Sequence, residues 1–305
     1  MAIGSLGPLG NPPAARYDIH SWQGVCEGDI MIEKITAVIA DVDGTINVKG
    51  SKPLPRTLAA MEELHRRGIL FGTASGRPLD HRSLDKAHEW GLSFEFDLAI
   101  GMNGGDLWDR DHEGIEHIML LEKECVAEIV NFMWPLDCNV IVYENAYDHV
   151  LVKRRDQHLE DSVIRNNSIW EYSTPEEMSA QDTGKIEIQY NAEKPGVEEE
   201  IMRVVAAHPS PRWSSVRTFP GTVEFMKPGL DKGVSLRRYA ERNNIPVSEI
   251  LAIGDMDNDI PMIAAAGWGV CMANGCDEAK AVADAITEYG VLEDGFGRYF
   301  EDHVL

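Results

Sequence analysis

Residues 35–45 read Ile-Thr-Ala-Val-Ile-Ala-Asp-Val-Asp-Gly-Thr, and the fold is decided there. The first six residues form a short apolar run, as expected for a central strand of a parallel sheet. The run stops at Asp41-Val42-Asp43-Gly44-Thr45. Open parallel sheets bind ligands at the carboxyl edge of their strands. Two carboxylates two residues apart at that edge repel each other unless a cation lies between them. Taken alone, the pattern is also that of a solvated Asp-Gly turn.

Outward from this stretch, strand and helix alternate. Pro55 opens a helix with Leu58, Met61 and Leu64 on one face and Gly68 as its stop. Strands follow at 69–75 and 96–101, separated by a predicted helix over 78–91 that ends at Gly91. Near residue 106 the character changes. Residues 107–120 suggest a hairpin turning at Glu113-Gly114, and residues 139–143, 149–153 and 184–190 are short alternating strands around an Asn-Ala turn region and two helical stretches. After residue 227 the first rhythm returns, with strands at 249–254, 268–273 and 285–288 and helices between them. The expected fold class is α/β, a Rossmann-like parallel sheet core with helices on both faces, split by an inserted α+β cap domain. The expected boundaries are a flexible N-terminal extension over 1–30, a core over 31–106 and 227–305, and the insertion over 107–226.

Composition narrows the function. The 305 residues carry 28 Lys and Arg against 51 Asp and Glu, a net charge of −23. Such a surface repels nucleic acid and anionic membranes, so neither is an expected partner. An anionic substrate must then be attracted locally. The five cysteines are scattered and form no C-x-x-C pair, which suits reduced thiols and a cytoplasmic location. No apolar run reaches the length of a membrane span, and the N-terminus lacks the pattern of a secretory signal. Oligomeric state is not legible.

Three further motifs stand at strand ends or helix starts. Gly254-Asp255-Met256-Asp257-Asn258-Asp259 begins like a calcium loop, but Ile260 and Ala266 stand where that loop needs Gly and Glu. Two acidic clusters on two strand ends suit a hard cation such as Mg²⁺, which keeps waters and a phosphate. Thr73-Ala74-Ser75-Gly76-Arg77-Pro78 offers a hydroxyl and backbone N–H groups at a strand-to-helix turn, an anion cradle or a simple helix cap. Lys232 heads a helix, where its charge opposes the macrodipole; a solvated lysine is the ordinary reading.

Taken in order, DVDGT, SGR, DKG and GDMDND resemble the haloacid dehalogenase superfamily, and within it the Cof-type sugar phosphatases. The resemblance covers the chain from about Met31 onward and departs from the pattern in the N-terminal residues and at Met256-Asp257. It implies a Mg²⁺-dependent phosphomonoesterase for a small-molecule phosphate ester. Asp41 would be the nucleophile, and Asp43 the general acid and then base. Ser75, the Gly76 backbone, Lys232 and Asn258 would hold the phosphoryl oxygens. Asp41, the Asp43 main-chain carbonyl and Asp255 would bind the metal, with Asp259 as a further ligand or a support. A phosphomutase of the same superfamily and a catalytically silent binding relative are the competing readings. The insertion would choose the leaving group, with Tyr143, His149, Lys153 and Lys185 as candidates against a default of a solvated strand face.

Overall fold

The computed structural model describes residues 34–48, 50–79, 81–143, 149–157, 159–160, 169–219 and 221–305. The expected N-terminal extension and the Asn-Ala turn lie outside the described residues. No helix among the described residues is long and apolar enough to cross a membrane.

The strands in chain order are β1 (Ala37–Asp41), β2 (Leu70–Ala74), β3 (Leu98–Gly101), β4 (Asp106–Asp109), β5 (Glu116–His117), β6 (Asn139–Tyr143), β7 (His149–Val152), β8 (Ile169–Tyr172), β9 (Ile186–Gln189), β10 (Ser214–Phe219), β11 (Thr222–Met226), β12 (Ile250–Gly254), β13 (Trp268–Cys271) and β14 (Ala285–Ile286). They form an eight-stranded sheet, β14-β13-β12-β1-β2-β3-β4-β5, and a six-stranded sheet, β10-β11-β9-β6-β7-β8.

In the larger sheet β1 lies between β12 and β2, parallel to both. Every residue of β1 is buried. Val38 and Ala40 pack with Met61 and Leu64 of the helix Pro55–Arg66 and with Phe296 and Phe300 of the helix Gly295–His303. Ala37 and Ile39 pack on the other face with Leu236, Tyr239 and Met262. A strand covered on both sides needs apolar residues at both parities, hence the run at 35–40. The fold class is as expected: an α/β core with helices on both faces and a second, mixed segment inserted into it.

Several elements differ from expectation. The helix over 78–91 is two short helices, His81–Leu84 and Lys86–Trp90, that meet at Asp85, with φ −77° and ψ −1°. The hairpin β4–β5 pairs antiparallel with β3 and extends the larger sheet instead of belonging to the inserted one. An alternating edge strand has the same pattern whichever sheet it joins, so sequence could not place it. The helix Gly295–His303 was not expected at all. It packs on the helix Pro55–Arg66, and the preceding Asp294 accepts hydrogen bonds from the N–H groups of Arg56 (2.9 Å) and Thr57 (2.8 Å). That satisfies two of the open donors of a helix whose own N-cap, Leu54, offers no side-chain bond.

The smaller sheet is antiparallel except where β8 joins β7 in parallel. Side chains of a strand alternate between faces. Val140, Val142, Ile186, Ile188, Val223 and Phe225 meet the helices Lys123–Met133 and Val197–Ala207 on one face. Lys185, Glu187 and Glu224 have the opposite parity. The chain enters this sheet between β5 and Leu121, which pairs with Thr183, and leaves it between β11 and the helix Lys232–Arg242. Lys227 and Glu122 form an ion pair across these two crossings. Gly229, at φ +76°, lies in the return crossing, and Gly104-Gly105 lies between β3 and β4.

Candidate active site

Asp41 is the last residue of β1, and Asp255 follows β12. The parallel register Ala40↔Ile253 sets both carboxylates at the same edge. Lys232 enters the sheet edge from its helix and is fully buried. Its Nζ donates to Asp41 Oδ1 at 2.5 Å and to Asp259 Oδ1 at 2.6 Å. The other oxygen of Asp259 accepts the N–H groups of Asp255 (2.9 Å) and Met256 (3.0 Å), which fixes the loop that carries Asp255. Thr45 donates its hydroxyl to Asp255 Oδ1 at 3.1 Å. Gly44 stands at φ +105°, where a Cβ would lie 2.3 Å from Asp255 Oδ2, so only glycine lets DVDGT close against the second motif. The ordinary reading of Lys232 as a solvated lysine is thus overturned. Its cost at a helix N-terminus is offset by two direct carboxylate bonds.

Burial first, then the facing Asp259, pushes the Asp41 carboxyl up to about 8, against the opposing pull of Lys232. Burial and Asp259 likewise push Asp255 up to about 6. Burial pulls the Lys232 ammonium down, but Asp41 and Asp259 outweigh it and hold the group above its ordinary range. Beside burial, these shifts reflect the charges acting on one another. Carboxylate oxygens of Asp41, Asp255 and Asp259 lie within 4.8 Å of one another, and one ammonium faces all three charges. Two negative charges remain, the amount one divalent cation neutralises. Oxygen donors of this kind match a hard ion, so the residues fit a Mg²⁺ site.

Beside this cluster lies the turn after β2. Ser75 donates its N–H to Ile100 (2.8 Å), and its carbonyl accepts the N–H of Asn103 (3.1 Å). Its hydroxyl oxygen accepts the Arg77 N–H at 3.2 Å, a helix-cap type of contact. A Cβ on Gly76 would lie 3.0 Å from Asn103 Oδ1, the atom to which Asn258 Nδ2 donates at 3.0 Å. Arg77 forms an ion pair with Asp43 at 2.6 Å.

Asp41, Asp43, Ser75, Gly76, Asp255 and Asn258 line a single cavity of about 800 Å³. Lys232 and Asp259 stand behind Asp41. The eight residues that the sequence assigns to phosphate and metal are therefore gathered at one sheet edge. Sequence reasoning gave no role to Thr45, Arg77, Asn103 or Asn274. Asn274 donates to the Gly44 carbonyl at 2.9 Å and steadies the same loop. Asn103 and Asn274 each follow a strand of the larger sheet, so the strand-edge rule applied to β3 and β13 would have found them.

The opposite wall of the cavity comes from the smaller sheet, including Lys185, Glu187, Arg217 and Glu224. Here the expected solvated strand face is wrong for Lys185, which is 6% exposed. Burial pulls its ammonium down, but Glu224, Tyr143 and Glu187 together hold it above its ordinary range. Tyr143 is buried and donates to Glu187 Oε2 at 3.1 Å. Lys153 does not reach the cavity. It donates to the carbonyls of Trp134 and Leu136, both at 2.7 Å, near the end of the helix Lys123–Met133. His149 points toward Glu171, 3.9 Å away.

The sequence and the fold are shared with known proteins. The sequence profile of the haloacid dehalogenase-like hydrolases matches residues 38–299, and the chain belongs to that family. A 5-amino-6-(5-phospho-D-ribitylamino)uracil phosphatase of Bacillus subtilis is 26% identical over 279 residues, covering 87% of this chain and 96% of its own. An uncharacterized hydrolase of Schizosaccharomyces pombe is 25% identical over 302 residues, covering 95% and 96%. Among solved structures, a Thermotoga maritima protein superposes with a TM-score of 0.77 at 22% identity, covering 89% of this chain and 98% of its own. A sugar phosphatase of haloacid dehalogenase subclass IIB superposes with a TM-score of 0.71 at 22% identity, covering 88% and 98%.

Proposed function

We propose that this chain is a Mg²⁺-dependent phosphomonoesterase that hydrolyses a small phosphorylated metabolite through an aspartyl phosphate on Asp41. The observation that carries the reading is the buried set of Asp41, Asp255, Asp259 and Lys232 at the carboxyl edge of β1 and β12, opening on one cavity. Family membership and a phosphatase relative support it. Asp41, Asp255 and the Asp43 carbonyl would hold the ion, and Asp259 would orient Lys232 and the Asp255 loop. When bound, the ion supplies positive charge against the phosphoryl oxygens and the carboxylates.

The chain's own groups do the rest. A carboxylate oxygen of Asp41 attacks phosphorus as the P–O bond to the leaving alcohol breaks. Asp43 gives its proton to that alcohol and later takes one from the water that cleaves the acyl phosphate. Arg77 holds Asp43 by Oδ2, which leaves Oδ1 for the proton. Ser75, the Gly76 N–H and Asn258 surround the phosphoryl oxygens, and Lys232 has a third N–H beyond the two it gives Asp41 and Asp259. This cluster is the local attraction that the acidic surface requires.

Asp41→Asn is the direct test. Turnover of p-nitrophenyl phosphate with Mg²⁺ should fall on the order of 10³-fold or more. Phosphorus-32 from a labelled ester should appear on the wild type and not on the variant. Turnover in Asp41→Asn within tenfold of wild type would end the assignment.

A further inference from the structure

The cavity wall opposite Asp41 holds charges that packing does not require. Glu187 on β9 and Glu224 on β11 are register partners, so two carboxylates stand directly across from each other, 4% and 6% exposed. Like charges so placed weaken a sheet, and burial deepens the cost. Threonine or valine would suit those strand positions better. Lys185 relieves part of the repulsion, with Nζ 2.8 Å from Glu224 Oε1 and 3.6 Å from Glu187 Oε2.

The two carboxylates are used differently. Glu187 accepts Gln189 Nε2 on one oxygen at 2.6 Å and the Tyr143 hydroxyl on the other at 3.1 Å. It is bound into the sheet. Glu224 gives Oε1 to Lys185, and no described residue bonds its Oε2. Arg217, the other cation on this wall, is paired with Glu198 at 2.8 Å. Lys185 against Glu187 and Glu224 leaves the wall one negative charge. Costly groups retained on a ligand-facing surface are the expected mark of a site under functional demand.

We infer that Glu224, positioned by Lys185, selects the leaving group of the ester. A leaving group without negative charge that offers a hydroxyl or N–H to Glu224 Oε2 is accepted, and one that ends in a carboxylate or a second phosphate is repelled. The inference rests on the phosphatase reading above and names the chemistry of the substrate that reading leaves open. The cavity of about 800 Å³ has room for a leaving group of several carbons between the two walls. Glu224 is a specificity-determining residue here; it takes no part in bond making.

The test uses the full chain with Mg²⁺ and two six-carbon esters that differ at one end. Glucitol 6-phosphate ends in a hydroxymethyl group, and 6-phosphogluconate ends in a carboxylate. Wild-type kcat/KM should favour the first by about tenfold or more. Glu224→Gln keeps the shape and leaves Lys185 paired with Glu187, and the preference should fall to about threefold or less. Glu224→Asp keeps the charge and should keep the preference. If Glu224→Gln fails to fold, the wild-type ratio and Glu224→Asp decide the matter. A proportional loss on both esters, with the ratio unchanged, means a structural role and overturns the inference; so does a wild type that prefers the carboxylate. p-Nitrophenyl phosphate separates the two levels. If it is turned over and the ratio is wrong, the inference alone fails; if no ester is turned over, the phosphatase reading fails and the inference goes with it.

Discussion

At Lys232 a single ammonium bonds two carboxylates in a place that water does not reach. Replacing it with methionine keeps much of the volume and leaves Asp41, Asp255 and Asp259 facing one another. Breaking a buried pair in this way costs about 3–5 kcal/mol. Lys232→Met should lose that much in urea denaturation without metal and regain part of it with Mg²⁺. A loss under about 1 kcal/mol would show that the carboxylates simply take up protons. The pH dependence follows from the same charges. Asp41 and Asp255 have folded pKa values of about 8 and about 6, above the 3.8 of an unperturbed aspartate. In the metal-free protein the folded state therefore holds protons that the unfolded state has released, and stability falls as pH rises from about 4 to about 8. A divalent ion competes with those protons. Thermal stabilisation by Mg²⁺ should be larger at pH 8 than at pH 5.5, with protons released on binding, which calorimetry in two buffers would measure. Equal stabilisation at both pH values would refute the coupling.

At the scale of elements, the site was more legible than the scaffold behind it. DVDGT and GDMDND could be read because each follows an apolar strand, and the parallel sheet brings such strand ends to one edge. Lys232 could be named but not placed, since nothing local distinguishes a buried lysine at a helix head from a solvated one. The parity of β9 and β11 was readable, yet Lys185 and Glu224 look like solvent-facing residues until a second sheet faces them. The helix Gly295–His303 was missed although Phe296, Tyr299 and Phe300 stand at i, i+3 and i+4, because nine residues that open with two glycines are too short a stretch for that period to stand out. Its anchoring is nonetheless firm. Phe300 is fully buried and stacks on Phe296 with centroids 4.4 Å apart. Phe300→Ala should cost about 3–5 kcal/mol in denaturant midpoint analysis. A cost below 1 kcal/mol would mean that this helix is not part of the cooperative core.

For the whole molecule, alternation of strand and helix revealed one α/β unit interrupted by another segment, but the edge hairpin β4–β5 misled because edge strands carry no label for the sheet they extend. In the larger sheet β1 pairs with β12, from opposite ends of the chain. The smaller sheet is drawn from one continuous stretch. Protein synthesis runs in one direction, so these two facts set an order of events. β1 leaves the ribosome about 200 residues before its neighbour β12, a wait of roughly 10–40 s at about 5–20 residues per second. Through that interval one edge of β1 has no partner, and for most of it Asp41 has neither Lys232 nor Asp255 beside it. The segment that carries Lys185 and Glu224 is complete before then. A message truncated between codons 224 and 255 accordingly yields a chain that carries Lys185 and Glu224 but never assembles the four charges at the sheet edge, and it leaves one edge of β1 open to chaperones and proteases.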